Sequence, residues 1–179
     1  MSDDDVDPTI LASRIHTPGC IWSYSFEATD QLGVLHEDDA EAYDLLMAMT
    51  RRARLTGIPP AENNNVEGAR HPTHRVPVGR LVLDLPDHNF TKERPMPWAG
   101  ELYAESSDGQ TLYRLYFIER RATPEGVTIE IVGSGVGQKP ANDDGYDPTS
   151  QTAEIKDAMH SGIERCLNTK TTWRRWNAA

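Results

Sequence analysis

Gly100 to Pro140 reads GELYAESSDGQTLYRLYFIERRATPEGVTIEIVGSGVGQKP, and the fold is decided there. Leu112 to Glu119 alternates two sets of side chains, Leu112, Arg114, Tyr116 and Ile118 on one face and Tyr113, Leu115, Phe117 and Glu119 on the other. Strand-favouring residues occur in both sets, so this segment suits the centre of a sheet. Asp108 and Gly109 form a turn signal between it and Glu101 to Ser106, and Pro124 to Gly126 form another before Val127 to Val132. The reading is a three-stranded meander. Gly133, Gly135 and Gly137 follow it, as in a phosphate-binding loop, but the spacing fails. A dinucleotide fingerprint needs glycine where Gln138 stands, and a Walker loop needs its lysine followed by Ser or Thr, whereas Pro140 follows Lys139. The glycines are therefore expected to form a flexible turn at the strand's end.

Working outward toward the N-terminus, Pro59 to Val76 has no period and many turn formers, so residues 59–76 read as a long loop. It carries Arg70, His71, His74 and Arg75, a candidate cationic patch for RNA; two histidines alone are too few ligands for a metal. Val78 to Leu85 is a short apolar run and a possible further strand. Before the loop, Ala42, Leu45, Leu46, Met49 and Ala53 recur at helical spacing, with Asp38 or Asp39 as cap and Gly57 and Pro59 as stop. Arg51, Arg52 and Arg54 in its last turn complement the helix dipole. Ile21 to Phe26 alternates Trp22, Tyr24 and Phe26 with two serines and reads as a strand at the meander's edge. Residues 1–19 are polar and acidic and read as a disordered tail.

On the C-terminal side, Ile155, Ala158, Met159, Gly162, Ile163, Cys166 and Leu167 form the apolar stripe of a helix. Beyond it, Trp173 and Trp176 among basic residues either cover the core or stack on bases. The sum is an α+β fold, a small twisted, mainly antiparallel sheet with packed helices, in one domain over residues 20–179. At 179 residues the chain has room for a core without staples. Its formal charge of −10 works against unaided binding to nucleic acid or an anionic membrane. Cys20 and Cys166 lie far apart without metal-ligand spacing, and the first residues are acidic where a secretory signal is basic, so the expected setting is the reducing cytoplasm.

The order of strand, helix, loop, Leu102 to Glu105 as L-Y-x-E, hairpin, Tyr113 to Phe117 as Y-R-L-Y-F, apolar strand ending near a lysine, and C-terminal helix resembles the RelE/ParE superfamily of bacterial toxins, especially its RelE and HigB-like branches. That resemblance implies a type II toxin that cuts messenger RNA on the ribosome without a metal or other cofactor, and an antitoxin protein as partner. Cleavage by the RNA's own 2′-hydroxyl needs a proton acceptor, a proton donor and positive charge for the phosphate. By position, the resemblance assigns these roles to Arg114, Lys139 and Tyr146. Where the family carries basic residues on the first meander strand, this chain has Ala104, Glu105 and Ser106. Two further classes therefore stand beside the endoribonuclease: a catalytically inactive relative that binds another protein, as a phage or prophage inhibitor would, and a gyrase-directed toxin of the ParE kind.

Overall fold

The computed structural model describes residues 13–59, 70–71, 73–76, 80–81, 84–85, 88–89, 94–95, 99–120, 130–142, 148–171 and 173. In chain order the elements are β1 (Ile21–Tyr24), α1 (Phe26–Asp38), α2 (Ala40–Thr56), β2 (Arg70–His71), β3 (His74–Arg75), β4 (Arg80–Leu81), β5 (Asp84–Leu85), β6 (His88–Asn89), β7 (Arg94–Pro95), β8 (Ala99–Glu105), β9 (Thr111–Glu119), β10 (Glu130–Pro140) and α3 (Pro148–Asn168). The main sheet has the order β1-β10-β9-β8-β3-β2, and every pairing in it is antiparallel except the parallel contact of β1 with β10. The fold is the expected α+β arrangement. Among the described residues no helix is long and apolar enough to cross a membrane.

The alternation of β9 explains the layers. Leu115 and Phe117 are buried against α1 and α2 with Leu32, Leu35, Ala42, Leu46, Leu102 and Ile131. Tyr116 and Ile118 are buried on the opposite face with Val132, Ile155, Ala158, Met159 and Ile163, under α3. Each large apolar side chain so covered contributes about 1.5 to 3 kcal/mol, and the sheet's centre therefore has no wet face. Trp173 belongs to the α3 cluster, only 1% exposed, and bridges to Arg120, so it covers the core instead of stacking on bases. Trp176 lies outside the described residues.

Several expectations need correcting. The helix before the long loop is preceded by α1, which the sequence reading left out; Ser25 starts it by accepting from Ala28 N at 3.1 Å, so Phe26 begins a helix instead of ending a strand. Asp39 is the residue that caps α2, accepting from Ala42 N at 3.1 Å. The stretch read as a tail packs from Ser13 onward. Ile15 is fully buried, Ile58 N donates to Ile15 O at 3.0 Å, and the buried Glu119 carboxylate accepts from Arg14 N at 2.9 Å and from the Ser13 hydroxyl. This anchor is mostly polar, which is why hydropathy does not reveal it. Within the stretch read as a loop, β3 pairs with β8, and two-residue strands are too short to show a period. β4 and β5, inside the Val78 to Leu85 run, pair with β7 and β6 and stay outside the main sheet.

The largest correction concerns the glycines, which lie inside β10 and not in a turn. β10 runs to Pro140 with a register shift between Gly133 and Gly135. A Cβ on Gly133 would sit 2.4 Å from the Tyr24 ring, and one on Gly137 would sit 2.3 Å from Glu154 Oε2. The glycines thin the strand so that neighbours on both faces can approach it. Gly162 does the same on α3, where a Cβ would lie 2.4 Å from Ser134 Oγ and 2.9 Å from Ile118 Cδ1.

Two outcomes follow for stability. Gly162→Leu gains about 1 kcal/mol of helix propensity but overpacks the sheet contact by about 1 to 3 kcal/mol or more, so its melting temperature falls. Gly33→Ala on the exposed side of α1, where nothing lies within 4 Å of the new carbon, raises it by the propensity term alone. Asp39 supplies a pH test, because it also accepts from the Ser107 hydroxyl at 2.6 Å and from Ser107 N at 2.8 Å. The Ser107 hydroxyl first, and then the backbone N–H groups of Ser107 and Ala42, hold its carboxyl below the usual Asp range. A depressed carboxyl stabilises the fold above its unfolded pKa, near 3.9, and that contribution is lost as pH falls through the folded value. The melting difference between the parent and Asp39→Ala is therefore full at pH 6 to 7 and shrinks in acid.

Candidate functional site

The register of the sheet brings a polar cluster together beneath α3. Arg114 stands opposite Tyr103 on β8 and Gly137 on β10, and Tyr116 stands opposite Glu101 and Gly135. Cross-strand partners share a face, so these side chains lie toward α3. From α3, Glu154 reaches over Gly137: Arg114 Nη2 donates to Glu154 Oε2 at 2.9 Å, and the Tyr116 hydroxyl donates to the same oxygen at 3.0 Å. The Tyr103 hydroxyl donates to Glu101 Oε1 at 2.7 Å. The Arg114 guanidinium also lies 5.7 Å from the Tyr116 ring centroid.

Burial decides what this cluster can do. The Arg114 side chain is 1% exposed and Glu154 32%, while Glu101 and Tyr116 are buried. Burial first, and the Glu101 carboxylate next, push the Tyr116 phenol far above its ordinary value, so it remains a proton donor to Glu154. A phosphate seeking Arg114 would have to displace Glu154 and approach a second carboxylate, Glu101. With one cation and two carboxylates, the five residues carry a formal charge of −1, a poor setting for an anion.

The other residues named from the sequence fall as follows. Lys139 is half-buried near the end of β10, opposite Leu112, and shares the face of Arg114 and Gly137. Tyr146 lies outside the described residues. Arg70 and His71 form β2, whose side chains also lie outside them; Arg75 is half-buried on β3. His74 is 1% exposed: its Nε2 donates to Pro59 O at 2.8 Å, and the Thr73 hydroxyl bonds Nδ1 at 2.9 Å. Its ring therefore ties β3 to the end of the α2 segment. Sequence reasoning missed Glu101, Tyr103, Tyr116 and Glu154. The alternation of β8 and β9 contained the signal for the first three.

Both cysteines are buried thiols in different clusters, and burial raises their pKa, that of Cys166 to about 11. Neither is a ready nucleophile. Among the described residues no group of three His, Cys, Asp or Glu gathers as metal ligands. Comparison with protein-family models, with curated proteins and with solved structures finds no match to this chain.

The pairing of Arg114 with Glu154 is measurable. Arg114→Met costs about 2 to 4 kcal/mol, somewhat under the cost of breaking a fully buried pair because Glu154 keeps about a third of its side chain in solvent. In a double-mutant cycle with Glu154→Gln, read by urea unfolding, the coupling is about 0.5 to 3 kcal/mol. A coupling of zero would mean that the pair contributes nothing.

Proposed function

We propose that this chain acts in the cytoplasm by binding another protein and is a catalytically inactive relative of the RelE/ParE toxins. The observation that carries this reading is the state of Arg114: its guanidinium, which the resemblance assigns to phosphate, lies buried against Glu154. In outline a strand, helices, the meander and a C-terminal helix follow in the order the resemblance names, with α1 as an additional helix. The surface supports a protein partner, because Glu27, Asp30, Glu37, Asp38, Glu41 and Asp44 are all exposed on α1 and the first half of α2. Such a face repels RNA and attracts a basic protein.

The ribosome-dependent endoribonuclease is the second reading, favoured by Lys139 and Arg114 sharing one sheet face. It requires Glu154 to move aside when messenger RNA arrives. Induced expression in bacteria, followed by growth curves and primer extension on messenger from intact ribosomes, separates the two. The binding module leaves messenger uncut, and any effect on growth persists in Lys139→Ala. Ribosome-dependent cuts that disappear in Lys139→Ala, with the variant still folded, would establish the nuclease instead. Loss of gyrase supercoiling activity with uncut messenger would point to the ParE-like alternative.

A further inference from the structure

β1 covers only the first part of β10, because the parallel pairing runs from Ile21 opposite Glu130 to Tyr24 opposite Gly133. Past that point, no strand among the described residues lies on the outer side of β10. The direction of each backbone group there can be deduced. Val136 N donates at 2.7 Å to Gln31 Oε1 of α1, away from β9, so strand alternation turns Gln138 N–H and C=O outward as well. Pro140 has no N–H to offer and ends the edge.

Beside this edge lies a groove of about 270 Å³ between α1 and the sheet. Its floor is Val34, Leu35, Tyr113 and Val136, and Asp30 and Asp38 stand on its helix side. Val34 is 58% exposed, an apolar side chain left open between Asp30 and Asp38 on α1. The groove's field is negative: after burial, Asp39, Asp38 and Asp108 in turn raise the Tyr113 phenol's pKa. A strand edge with outward hydrogen-bonding groups, flanked by an apolar groove and a helix, is the geometry of peptide recognition by strand addition.

We propose that the edge of β10 at Val136 to Pro140, with the groove beneath α1, binds an extended segment of a partner protein in which basic side chains flank an apolar one. The backbone of the segment pairs with Gln138, its apolar side chain fills the space beside Val34 and Tyr113, and its Lys or Arg residues meet Asp30 and Asp38. Charge selects this occupant, since the same carboxylates repel an acidic segment. The inference rests on the protein-binding reading and names the chemistry of the partner.

The test uses the full chain, labelled with nitrogen-15, and the acetylated peptide Lys-Val-Lys-Val-Lys-Val-Lys. Titration should move the amides of Gln31, Val136 and Gln138 most and slow hydrogen exchange at Gln138. The same peptide with Glu for Lys should bind at least tenfold more weakly. Gln138→Pro, which removes an outward N–H at an edge where proline is tolerated, should weaken binding at least tenfold. The exposed pair Asp30→Lys and Asp38→Lys should reverse the preference between the two peptides, and it keeps the test open should Gln138→Pro not fold. Shifts confined to another face, or affinities unchanged in a folded Gln138→Pro and in the charge-reversed protein, would overturn the proposal. So would protection of the Gln138 amide in the free monomer, or only in a dimer, since the chain itself or a second copy would then be the occupant. A protein partner cross-linked solely at another face would sink the groove and leave the binding reading standing. Ribosome-dependent cleavage by a chain that still binds the peptide would do the reverse.

Discussion

Burying β9 on both faces leaves Arg114 without water to solvate its charge, and the α3 side of the molecule is arranged around that fact. A guanidinium moved out of water is costly unless it is paired and hydrogen-bonded. Glu154 supplies the pair, Tyr116 donates to the same oxygen and offers its ring, and Gly137 leaves the space through which Glu154 reaches the sheet. Any side chain at position 137 would press on that carboxylate. Gly137 on β10 and the acid on α3 are thus two parts of one solution, separated in sequence but set by a single buried charge.

The opposite face is held differently. There the packing is mostly apolar, and its polar fasteners sit at the margins: Asp39 ties the α1–α2 corner to the β8–β9 turn through Ser107, and Glu119 ties the Ser13 segment to the end of β9. Gly57, at φ +75°, ends α2 where a Cβ would collide with the His16 carbonyl. These contacts join parts of the chain that are far apart in sequence, so each closes a long loop and fixes the helices against the sheet.

What could be read from the sequence follows the range of the interactions. The alternation of Leu112 to Glu119 and the stripe of Ile155, Ala158, Met159 and Ile163 are local patterns, and the β8–β9 hairpin and α3 are where they imply, whereas the third strand runs over Glu130–Pro140 instead of ending at Val132. α1 was hidden because Ala28, Leu32 and Leu35 make a narrow stripe interrupted by Gly33 and by acidic residues, a weak periodic signal. The candidate site was half legible. Arg114 could be assigned to a face, but its partner could not, because a strand neighbour such as Glu105 and a residue on a distant helix are equally plausible until the helix is docked. By register Glu105 stands opposite Leu112 and is exposed, so it does not fill that role. The glycine cluster looked like a turn because glycine signals conformational freedom and close approach alike, and only the third dimension separates the two.

The net charge of −10 is a poor guide to what this surface meets, because exposed charges act over a Debye length of about 8 Å at physiological ionic strength. Distribution decides instead. Arg51, Arg52 and Arg54 are exposed at the far end of α2, whereas Glu37, Asp38, Glu41 and Asp44 crowd around the α1–α2 corner. Like charges so close repel one another, and nothing in the packing of the helices requires them: the buried stripe of α1 is satisfied by Ala28, Leu32 and Leu35. Of these carboxylates Asp38, with Asp30, lines the groove beside Val34 and the β10 edge, and such carboxylates beside an open strand edge suit a surface that meets a cationic chain.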